Sequence, residues 1–259
     1  MSDMHSTSGW IEYMADDVAS AAKFYAALLG FEIKDAGGGM DYNILHKGDV
    51  GYGGMMKMPA PAKAGGMTPC WLGYVMVDDI EASLKALQAA GGRSYMPITD
   101  VPGMLKFTPV SDPGGAPFYL MQPMGPPPSA DMQPKEGSPG TVGWRELMAG
   151  DLDREFAFYS GLFGWKKTAV HDMGPMGPYQ LWSAGAKDQE GGMMTKPPHL
   201  PRPFWNLYFN VDGLDAACAR ATGAGGKIVN GPMEVPGGQW IAQGVDPQGA
   251  GFCLVANAR

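Results

Sequence analysis

Two glutamates occupy matched positions in this sequence, and each follows a tryptophan by two residues: Trp10 precedes Glu12, and Trp144 precedes Glu146. Alternation along a β-strand puts the tryptophan and the glutamate of each pair on the same face. A carboxylate on a buried strand face is costly unless it is hydrogen-bonded. One interpretation is structural, with each carboxylate bonded to backbone N–H groups or to a nearby tyrosine or tryptophan. The other interpretation is chemical, with each carboxylate acting as a general base or as a polar anchor for a ligand.

Both pairs belong to a sequence that repeats itself. Residues 10–32, WIEYMADDVASAAKFYAALLGFE, correspond to residues 144–166, WRELMAGDLDREFAFYSGLFGWK, at an offset of 134 (144 minus 10). The same offset aligns Val77-Asp78 with Val211-Asp212, Gly91-Gly92 with Gly225-Gly226, and Asp112-Pro113 with Asp246-Pro247. A constant offset over a whole segment indicates a duplicated fold.

Each copy is predicted to contain the same elements in the same order. A strand at residues 10–14 or 144–148 leads to a helix that begins after an N-cap aspartate and ends at Gly30 or Gly164. Further strands are predicted at residues 42–46, 53–58 and 71–77, and at 179–183, 192–195 and 205–211. A second helix near residues 80–90 or 214–223 ends in Gly-Gly, and two more strands close each copy. The pattern predicts an α+β fold in which each copy is a pair of βαβββ units.

The composition excludes several classes of function. The formal net charge is -7, and no basic cluster is present, which argues against binding to nucleic acid or to an anionic membrane. The sequence contains no apolar run long enough to span a bilayer, and its first residues do not resemble a secretory signal. The 3 cysteines are scattered and show no metal-ligand spacing or disulfide framework, as expected for a reducing cytoplasm.

Aromatic and methionine side chains dominate the rest of the predicted site. The chain has 20 methionines, which suit either adaptable cavity walls or ordinary core packing. Aromatic groups with a few polar atoms are the usual lining of a small-molecule site. The residues predicted to contact a ligand are Trp10, Tyr42, His46, Tyr119, Trp144, Tyr179, Trp182, Trp205, Asn206 and Cys253.

Three motifs occur in both copies and carry a resemblance to a known family. The first is a helix that follows an aspartate, contains Phe-Tyr and ends at a glycine. The second is Val-Asp-Asp or Val-Asp-Gly before a helix that ends in Gly-Gly, and the third is Asp-Pro-x-Gly-Ala-x-Phe. Together they resemble the vicinal oxygen chelate superfamily, which includes glyoxalase I, bleomycin-resistance proteins and extradiol dioxygenases. The resemblance implies two tandem glyoxalase-like modules at residues 1–122 and 143–259, joined by a Pro/Gly-rich linker at 123–142. It also implies that each module forms a curved mixed sheet shaped like a cup.

The resemblance further implies a divalent-metal site, and the sequence departs from it. The positions that correspond to family ligands hold Trp10 and Trp144, Leu72 and Asn206, and Tyr119 and Cys253, while the remaining strand offers only Gly and Met. The histidines His5, His46, His171 and His199 are interpreted as structural or solvent-facing groups rather than ligands. We therefore expect no resident metal ion and no other cofactor.

Three functions remain open. The first is metal-free binding of an apolar or aromatic small molecule, and the second adds proton transfer by Glu12 or Glu146. The third is a metal-dependent lyase or dioxygenase with non-standard ligands. The modules are expected to pair within the chain, with at most one functional cup, as a monomer or a homodimer.

Overall fold

A computed structural model describes residues 7–37, 41–125 and 135–259 of the 259-residue chain. His5 and residues 126–134 of the predicted linker lie outside the described residues. Within the described parts, no helix is both long enough and apolar enough to cross a membrane.

The two copies fold into matching series of strands and helices. The first contains β1 (Thr7–Ala15), α1 (Val18–Leu29), β2 (Glu32–Asp35), β3 (Tyr42–Lys47), β4 (Val50–Lys57), α2 (Ala60–Ala64), β5 (Cys70–Met76), α3 (Ile80–Ala89), β6 (Arg93–Ser94), β7 (Thr99–Val101), β8 (Leu105–Ser111) and β9 (Pro117–Pro123). The second contains β10 (Val142–Ala149), α4 (Leu152–Phe163), β11 (Lys166–Asp172), β12 (Pro178–Ser183), β13 (Gly191–Thr195), β14 (Phe204–Asn210), α5 (Leu214–Gly223), β15 (Lys227–Glu234), β16 (Trp240–Val245) and β17 (Gly251–Ala256).

The strands form two mixed sheets with the same order. One runs β2-β3-β4-β1-β5-β9-β8-β6, with β7 beside β8, and the other runs β11-β12-β13-β10-β14-β17-β16-β15. In both sheets the first strand of the copy pairs in parallel with the glycine-methionine strand, β1 with β4 and β10 with β13. The α+β prediction and the internal duplication are confirmed at this level. Strands β2 and β11 and the short helix α2 were not predicted, and the second predicted helix of each copy is followed by more strands than the two expected, four in the first copy and three in the second.

The caps of the first helix in each copy follow the sequence signals. Asp17 is the N-cap of α1 and accepts a hydrogen bond from the Ser20 N–H, and Gly30 ends the helix in the left-handed region at φ 69°. Asp151 and Gly164 have the same roles in α4. A residue without a Cβ adopts this backbone conformation at no steric cost, which explains why glycine ends both helices.

The chain separates into two compact units, each of which combines half of one copy with half of the other. Among the described residues, unit 1 includes 73–125 and 145–205, and unit 2 includes 9–72 and 206–259. Unit 1 therefore holds α3 and α4, whereas unit 2 holds α1 and α5. Each unit has its own hydrophobic core, in which the helices cover one face of their strands.

A buried aspartate lies in the core of unit 2 and joins two motifs from different copies. Asp246, from the Asp-Pro motif, accepts a hydrogen bond from the Tyr25 hydroxyl at 3.1 Å and another from the Tyr13 hydroxyl. Its second oxygen accepts the backbone N–H groups of Gln248 and Ala250 at 2.8 and 2.9 Å. The aspartate thus fixes its own turn and satisfies the phenol of the Phe-Tyr motif.

Unit 1 contains the reciprocal arrangement. Asp112 accepts the Tyr159 hydroxyl at 3.2 Å and the N–H groups of Gly115 and Ala116 at 2.8 and 2.9 Å. The Trp205 indole donates to the Tyr159 hydroxyl at 3.2 Å. Leu147 stands in β10 where Tyr13 stands in β1, so this aspartate receives one phenol instead of two.

The N-termini of α1 and α4 are held by different side chains in the two units. In unit 2 the Gln248 amide accepts the N–H of Asp17 at 2.7 Å. In unit 1 the fully buried Glu155 carboxylate accepts the N–H of Asp151 at 2.9 Å. Gly114, at the position equivalent to Gln248, leaves room for it, since a Cβ at Gly114 would lie 2.4 Å from Glu155 Oε1. Glu155 therefore does in unit 1 what Gln248 does in unit 2, and the glycine at position 114 provides the space that the Glu155 side chain occupies.

We predict that Asp112 makes stability pH-dependent. Burial, with a further contribution from the nearby Glu155 carboxylate, raises the pKa of Asp112 to about 6. The folded protein then binds this proton more tightly than the unfolded chain does, so its contribution to stability falls as the pH rises from about 4 through 6. Relative to Asp112→Asn, wild type should lose up to about 3 kcal/mol of unfolding free energy across this range.

Urea denaturation between pH 4 and pH 7 measures this difference. Asp100→Asn removes an exposed carboxyl and controls for the change in net charge. A difference between wild type and Asp112→Asn that is constant with pH, or that grows in favour of wild type as the pH rises, would contradict the prediction.

Candidate functional site

The first strand of each copy presents its glutamate away from the helices. In β1, Ile11 and Tyr13 belong to the core of unit 2, so Glu12 lies on the opposite face, which we call the site face. In β10, Leu147 belongs to the core of unit 1, and Glu146 likewise lies on the site face. Glu12 is 1 % exposed and Glu146 is 7 % exposed. The alternation predicted from the sequence therefore places both carboxylates as expected.

Glu12 is held by a tyrosine that lies across a glycine. The Tyr42 hydroxyl donates to Glu12 Oε2 at 2.9 Å. Gly54 lies opposite Glu12 in the parallel β1–β4 pair, and a Cβ there would be 1.9 Å from the Tyr42 hydroxyl and 2.7 Å from Glu12 Oε1. Only a residue without a side chain lets the phenol pass over β4. We call Glu12, Tyr42 and Gly54 the first Glu–Tyr–Gly cluster.

The second copy repeats this cluster in unit 1. Gly192 lies opposite Glu146 in the parallel β10–β13 pair, and a Cβ there would be 2.1 Å from both the Tyr179 hydroxyl and its ring carbon. Glu146, Tyr179 and Gly192 form the second Glu–Tyr–Gly cluster. Two positions of the shared Gly-Gly-Met-Met segments are thereby explained. The first methionine of each, Met55 or Met193, packs in the core, and the glycine before it leaves room for a phenol.

Each cluster combines two kinds of chemistry. A carboxylate accepts hydrogen bonds and protons, and a phenol beside it both donates and accepts. The Tyr42–Glu12 bond matches the structural interpretation in which the carboxylate pairs with a nearby tyrosine. The same bond would also orient a general base or a ligand anchor, because it fixes the position of the carboxylate.

Trp182 and Trp205 do not lie with the other residues predicted to contact a ligand. Trp182 is 0 % exposed, and its ring stacks on Trp165 with 4.0 Å between the centroids. Trp205 meets Tyr159 edge to face and donates to its hydroxyl. Both side chains belong to the helix-covered core of unit 1, since strand alternation turns them away from the site face. This placement does not fit contact with a ligand.

The other predicted residues lie on the site face of their strands or at a strand end. Trp10, Trp144, Tyr119, Asn206 and Cys253 alternate with core residues in β1, β10, β9, β14 and β17. His46 lies near the end of β3, next to a register shift, and its Nδ1 atom is buried without a hydrogen-bond partner among the described residues. Their roles in binding stay predictions.

Two further tyrosines, which are not among the ten residues predicted to contact a ligand, lie on the site face of their strands. Tyr74 stacks on Tyr119 in unit 1, with 4.5 Å between the centroids and 10° between the planes. Tyr208 lies beside Cys253 in unit 2, and Trp144 packs against this pair. Because side chains alternate between the two faces of a strand, the neighbours of core residues in β5 and β14 are predicted to lie on the site face, and these neighbours include both tyrosines.

The side chains do not fit a resident metal ion of the kind the fold implies. No group of three or more His, Cys, Asp or Glu side chains that could hold a metal ion occurs within residues 7–37, 41–125 and 135–259. A divalent ion of this kind needs several converging oxygen or nitrogen ligands.

The duplicated fold and its motifs match one protein family. A model of the Glyoxalase/Bleomycin resistance protein/Dioxygenase superfamily matches residues 7–120 and again residues 141–254. The chain belongs to this superfamily. The match confirms the resemblance drawn from the motifs and the tandem arrangement of two glyoxalase domains.

Superfamily members of similar length are related over nearly the whole chain. CFP32 of Mycobacterium tuberculosis, which is named as a glyoxylase, is 30% identical over 97% of this chain and 95% of its own. The anthracycline biosynthesis protein DauV of Streptomyces sp. (strain C5) is 30% identical over 95% of this chain and 91% of its own.

Solved structures of the superfamily share the fold at low identity. The Mn(II)-bound glyoxalase from Novosphingobium aromaticivorans superposes with a TM-score of 0.68 at 15% identity, covering 99% of this chain and 83% of that chain. An extradiol ring-cleaving dioxygenase from B. fuscum gives a TM-score of 0.67 at 15% identity, covering 99% and 73%. At this identity the likeness is one of fold alone.

We predict that the cost of a side chain at Gly54 depends on Tyr42. Gly54→Ala forces the phenol off its site and should lower the free energy of unfolding by about 1–3 kcal/mol. In a Tyr42→Ala background the same change should cost much less, because the clashing ring is gone. Urea denaturation of the four proteins gives the coupling energy.

Gly251→Ala is the matched control for this cycle, since a Cβ at this strand position meets nothing within 4 Å. If Gly54→Ala costs the same with and without the Tyr42 ring, the close approach of the phenol to Gly54 is not what requires glycine there.

Proposed function

We propose that this chain binds a planar aromatic small molecule without a resident metal ion, and that a Glu–Tyr–Gly cluster supplies the polar anchor. The observation that carries the proposal is the buried Glu12 carboxylate paired with the Tyr42 hydroxyl at 2.9 Å. Its counterpart in the second cluster, Glu146, is also buried. A carboxylate can accept several hydrogen bonds at once, and a ligand with phenolic or other acidic O–H groups would donate one of them.

The surroundings of the clusters suit an aromatic ligand. Indole and phenol side chains lie on the site faces, Trp10 and Tyr42 in unit 2 and Tyr179 in unit 1. Aromatic rings stack on flat ligands, and one or two polar groups then fix the orientation. The name of DauV, an anthracycline biosynthesis protein, supports a polycyclic aromatic ligand as the class to test first.

Proton transfer is the chemical step that the same cluster could perform. A proton leaving an acidic C–H or O–H group of the ligand would bond to a carboxylate oxygen of the glutamate. The electron pair left behind would be delocalised over the aromatic system. The neighbouring phenol would orient the carboxylate toward the ligand. A general base in an active site is usually held in this way by a hydrogen bond from a second side chain.

A metal-dependent lyase of the glyoxalase I type is the second candidate, with an extradiol-type dioxygenase beside it. It is favoured by the glyoxylase name of CFP32 and by the Mn(II)-bound glyoxalase that shares the fold. It would require ligands outside the usual His and Glu set, such as Asn206 and Cys253. The first candidate is favoured because the described residues contain no group of three or more His, Cys, Asp or Glu side chains that could hold a metal ion.

Elemental analysis of purified, dialysed protein separates the two candidates. We expect less than about one tenth of an equivalent of Mn, Fe, Ni or Zn per chain, because a structural or catalytic site that survives dialysis needs several converging ligands. A stoichiometric transition metal retained through dialysis would sink the metal-free proposal.

Titration calorimetry with 1,4-dihydroxyanthraquinone-2-sulfonate, in buffer containing EDTA, tests binding directly. We expect a dissociation constant on the order of 10 μM. Glu12→Gln or Glu146→Gln should weaken binding about tenfold or more, whichever cluster holds the ligand, because a charge-assisted hydrogen bond is lost.

Glu32→Gln makes the same chemical change on the exposed strand β2 and should leave the affinity at the wild-type value. Binding that survives both cluster variants unchanged would show that neither glutamate is the anchor. It would leave the carboxylates with a purely structural role, visible as lower thermal stability of the variants.

A further inference from the structure

The tip of the hairpin formed by β11 and β12 carries an imidazole and two thioethers. Residues 171–176 read HDMGPM, so His171, Met173 and Met176 follow one another at intervals of two and three positions. The segment lies in unit 1 and contributes no residue to either Glu–Tyr–Gly cluster. An imidazole nitrogen and a thioether sulfur both have lone pairs that can bind a metal ion.

The backbone of the turn brings the two methionines to the same side. Gly174–Met176 form a single turn of 3-10 helix, and Met173 is its N-cap. The Met176 N–H donates to the Met173 carbonyl at 3.3 Å. Side chains three positions apart are eclipsed in this geometry, so both thioethers project from one side of the turn.

The strand pairing adds the imidazole to this side. His171 lies opposite Tyr179, and Asp172 lies opposite Pro178. Met173 continues the pairing, since its N–H donates to the Gly177 carbonyl at 3.0 Å. Residues two apart on a paired strand share a face, so His171 and Met173 point to the same side and Asp172 to the other.

The turn is fixed by its own backbone and by Asp172. Asp172 Oδ1 accepts the Gly174 N–H at 2.9 Å, and the Gly177 N–H donates to the Gly174 carbonyl at 3.0 Å. Gly174 and Gly177 adopt positive φ values of 61° and 82°, and Pro175 between them has a ring-restricted φ. A turn that is already ordered loses little backbone entropy when its side chains converge on a ligand.

The two thioethers are accessible from solution. Met173 is 39 % exposed and Met176 is 53 % exposed, whereas Met193 and Met194 in the same sheet are buried. Burial gives a core methionine its packing energy, and the methionines of the turn gain much less of it. His171 is partly buried, which restrains its ring next to the strand end.

This set of side chains favours a soft ion over a hard one. A thioether is a soft, uncharged ligand and selects Cu(I). Zn²⁺ requires several thiolate, imidazole or carboxylate ligands, and Mn²⁺ prefers oxygen. Cu(I) also accepts three ligands readily, so one imidazole and two thioethers complete a site.

We infer that His171, Met173 and Met176 bind one Cu(I) ion at this hairpin tip. The inference goes beyond the proposed function, because the three residues take no part in anchoring an aromatic ligand. The interpretation of His171 as a structural or solvent-facing group concerns the divalent site, for which a thioether is a poor ligand. The corresponding residues 35–42 of the first copy read DAGGGMDY, with one methionine and no histidine, so one such site is expected per chain.

Ag(I) is the probe that locates the site, because it is soft and monovalent like Cu(I) and is stable in air. Cysteine thiolates bind soft ions strongly and would compete. Cys70 and Cys218 are partly exposed, so every measurement uses the Cys70→Ser/Cys218→Ser protein as the background.

NMR spectra of the background protein, labelled with ¹³C at its methionine methyl groups, follow the titration with Ag(I) in chloride-free buffer. The signals of Met173 and Met176 are assigned by their disappearance in the leucine variants and should shift with the first equivalent of Ag(I). The signals of Met104 and Met124, which are exposed methionines elsewhere in unit 1, should not shift.

Competition with bicinchoninate for Cu(I), kept reduced by ascorbate under nitrogen, measures the affinity. We expect a dissociation constant on the order of 1 μM or lower. His171→Gln, Met173→Leu and Met176→Leu should each weaken binding by about tenfold or more, because each removes one of three ligands. Met104→Leu/Met124→Leu removes two exposed thioethers from the same unit and should leave the affinity unchanged. Thermal denaturation verifies that each variant is folded.

Three results would overturn the inference. The first is a Cu(I) affinity that survives the three single substitutions or falls equally in the Met104→Leu/Met124→Leu control. The second is Zn²⁺ binding as tight as that of Cu(I), since the thioethers would then select nothing. The third is an Ag(I) titration that leaves the Met173 and Met176 signals in place. None of these results bears on the binding of an aromatic ligand, so the inference and the proposed function can fail separately.

Discussion

The fold depends on a buried aspartate that binds a tyrosine from the other repeat. Asp246 accepts a hydrogen bond from the Tyr25 hydroxyl, and Asp112 accepts one from the Tyr159 hydroxyl. Each aspartate also accepts backbone N–H groups of its own turn. An unpaired carboxylate or phenol in such a core would cost several kcal/mol, so each partner requires the other. The Phe-Tyr and Asp-Pro motifs that identify the superfamily in sequence are thus two halves of one contact. This contact fixes the helices, and the helices fix which face of each strand is left for a ligand.

The two repeats have kept this framework and changed what it presents. Both have a glutamate and a tyrosine that meet at a glycine, and no group of three or more His, Cys, Asp or Glu side chains that could hold a metal ion occurs in the described part of either repeat. They differ at equivalent strand positions: Tyr119 stacks on Tyr74 in the first copy, whereas Gln243 donates a hydrogen bond to the Tyr208 hydroxyl in the second. The copies have diverged on the site faces and also in the framework, where Leu147 replaces Tyr13 and Glu155 takes over the role of Gln248.

The sequence predicts features that depend on local spacing. An aspartate N-cap at 16 or 17, the C-cap Gly30, the face of Glu12 and the repeated order of elements along the chain all follow from periodicity and backbone preference, and all are observed, with Asp17 as the N-cap. The bond from Tyr25 to Asp246 spans 221 residues, and no local pattern indicates it. Trp182 and Trp205 were assigned to the site because aromatic residues suit ligands, but aromatic residues suit cores equally well. The hydrogen bond from Gln243 to the Tyr208 hydroxyl likewise joins residues 35 apart in sequence, and no local pattern indicates it.

The division of the chain into compact units cuts across the repeats, and this has a consequence for its history. A polypeptide consisting of one repeat alone would contain a Phe-Tyr helix without its aspartate and an Asp-Pro turn without its tyrosine. Two such polypeptides could satisfy each other, each completing one core of the other. The present chain therefore has the connectivity expected if an exchanged dimer of single repeats became covalently joined. Under that origin, its two halves are complementary fragments of one folding reaction rather than independent modules.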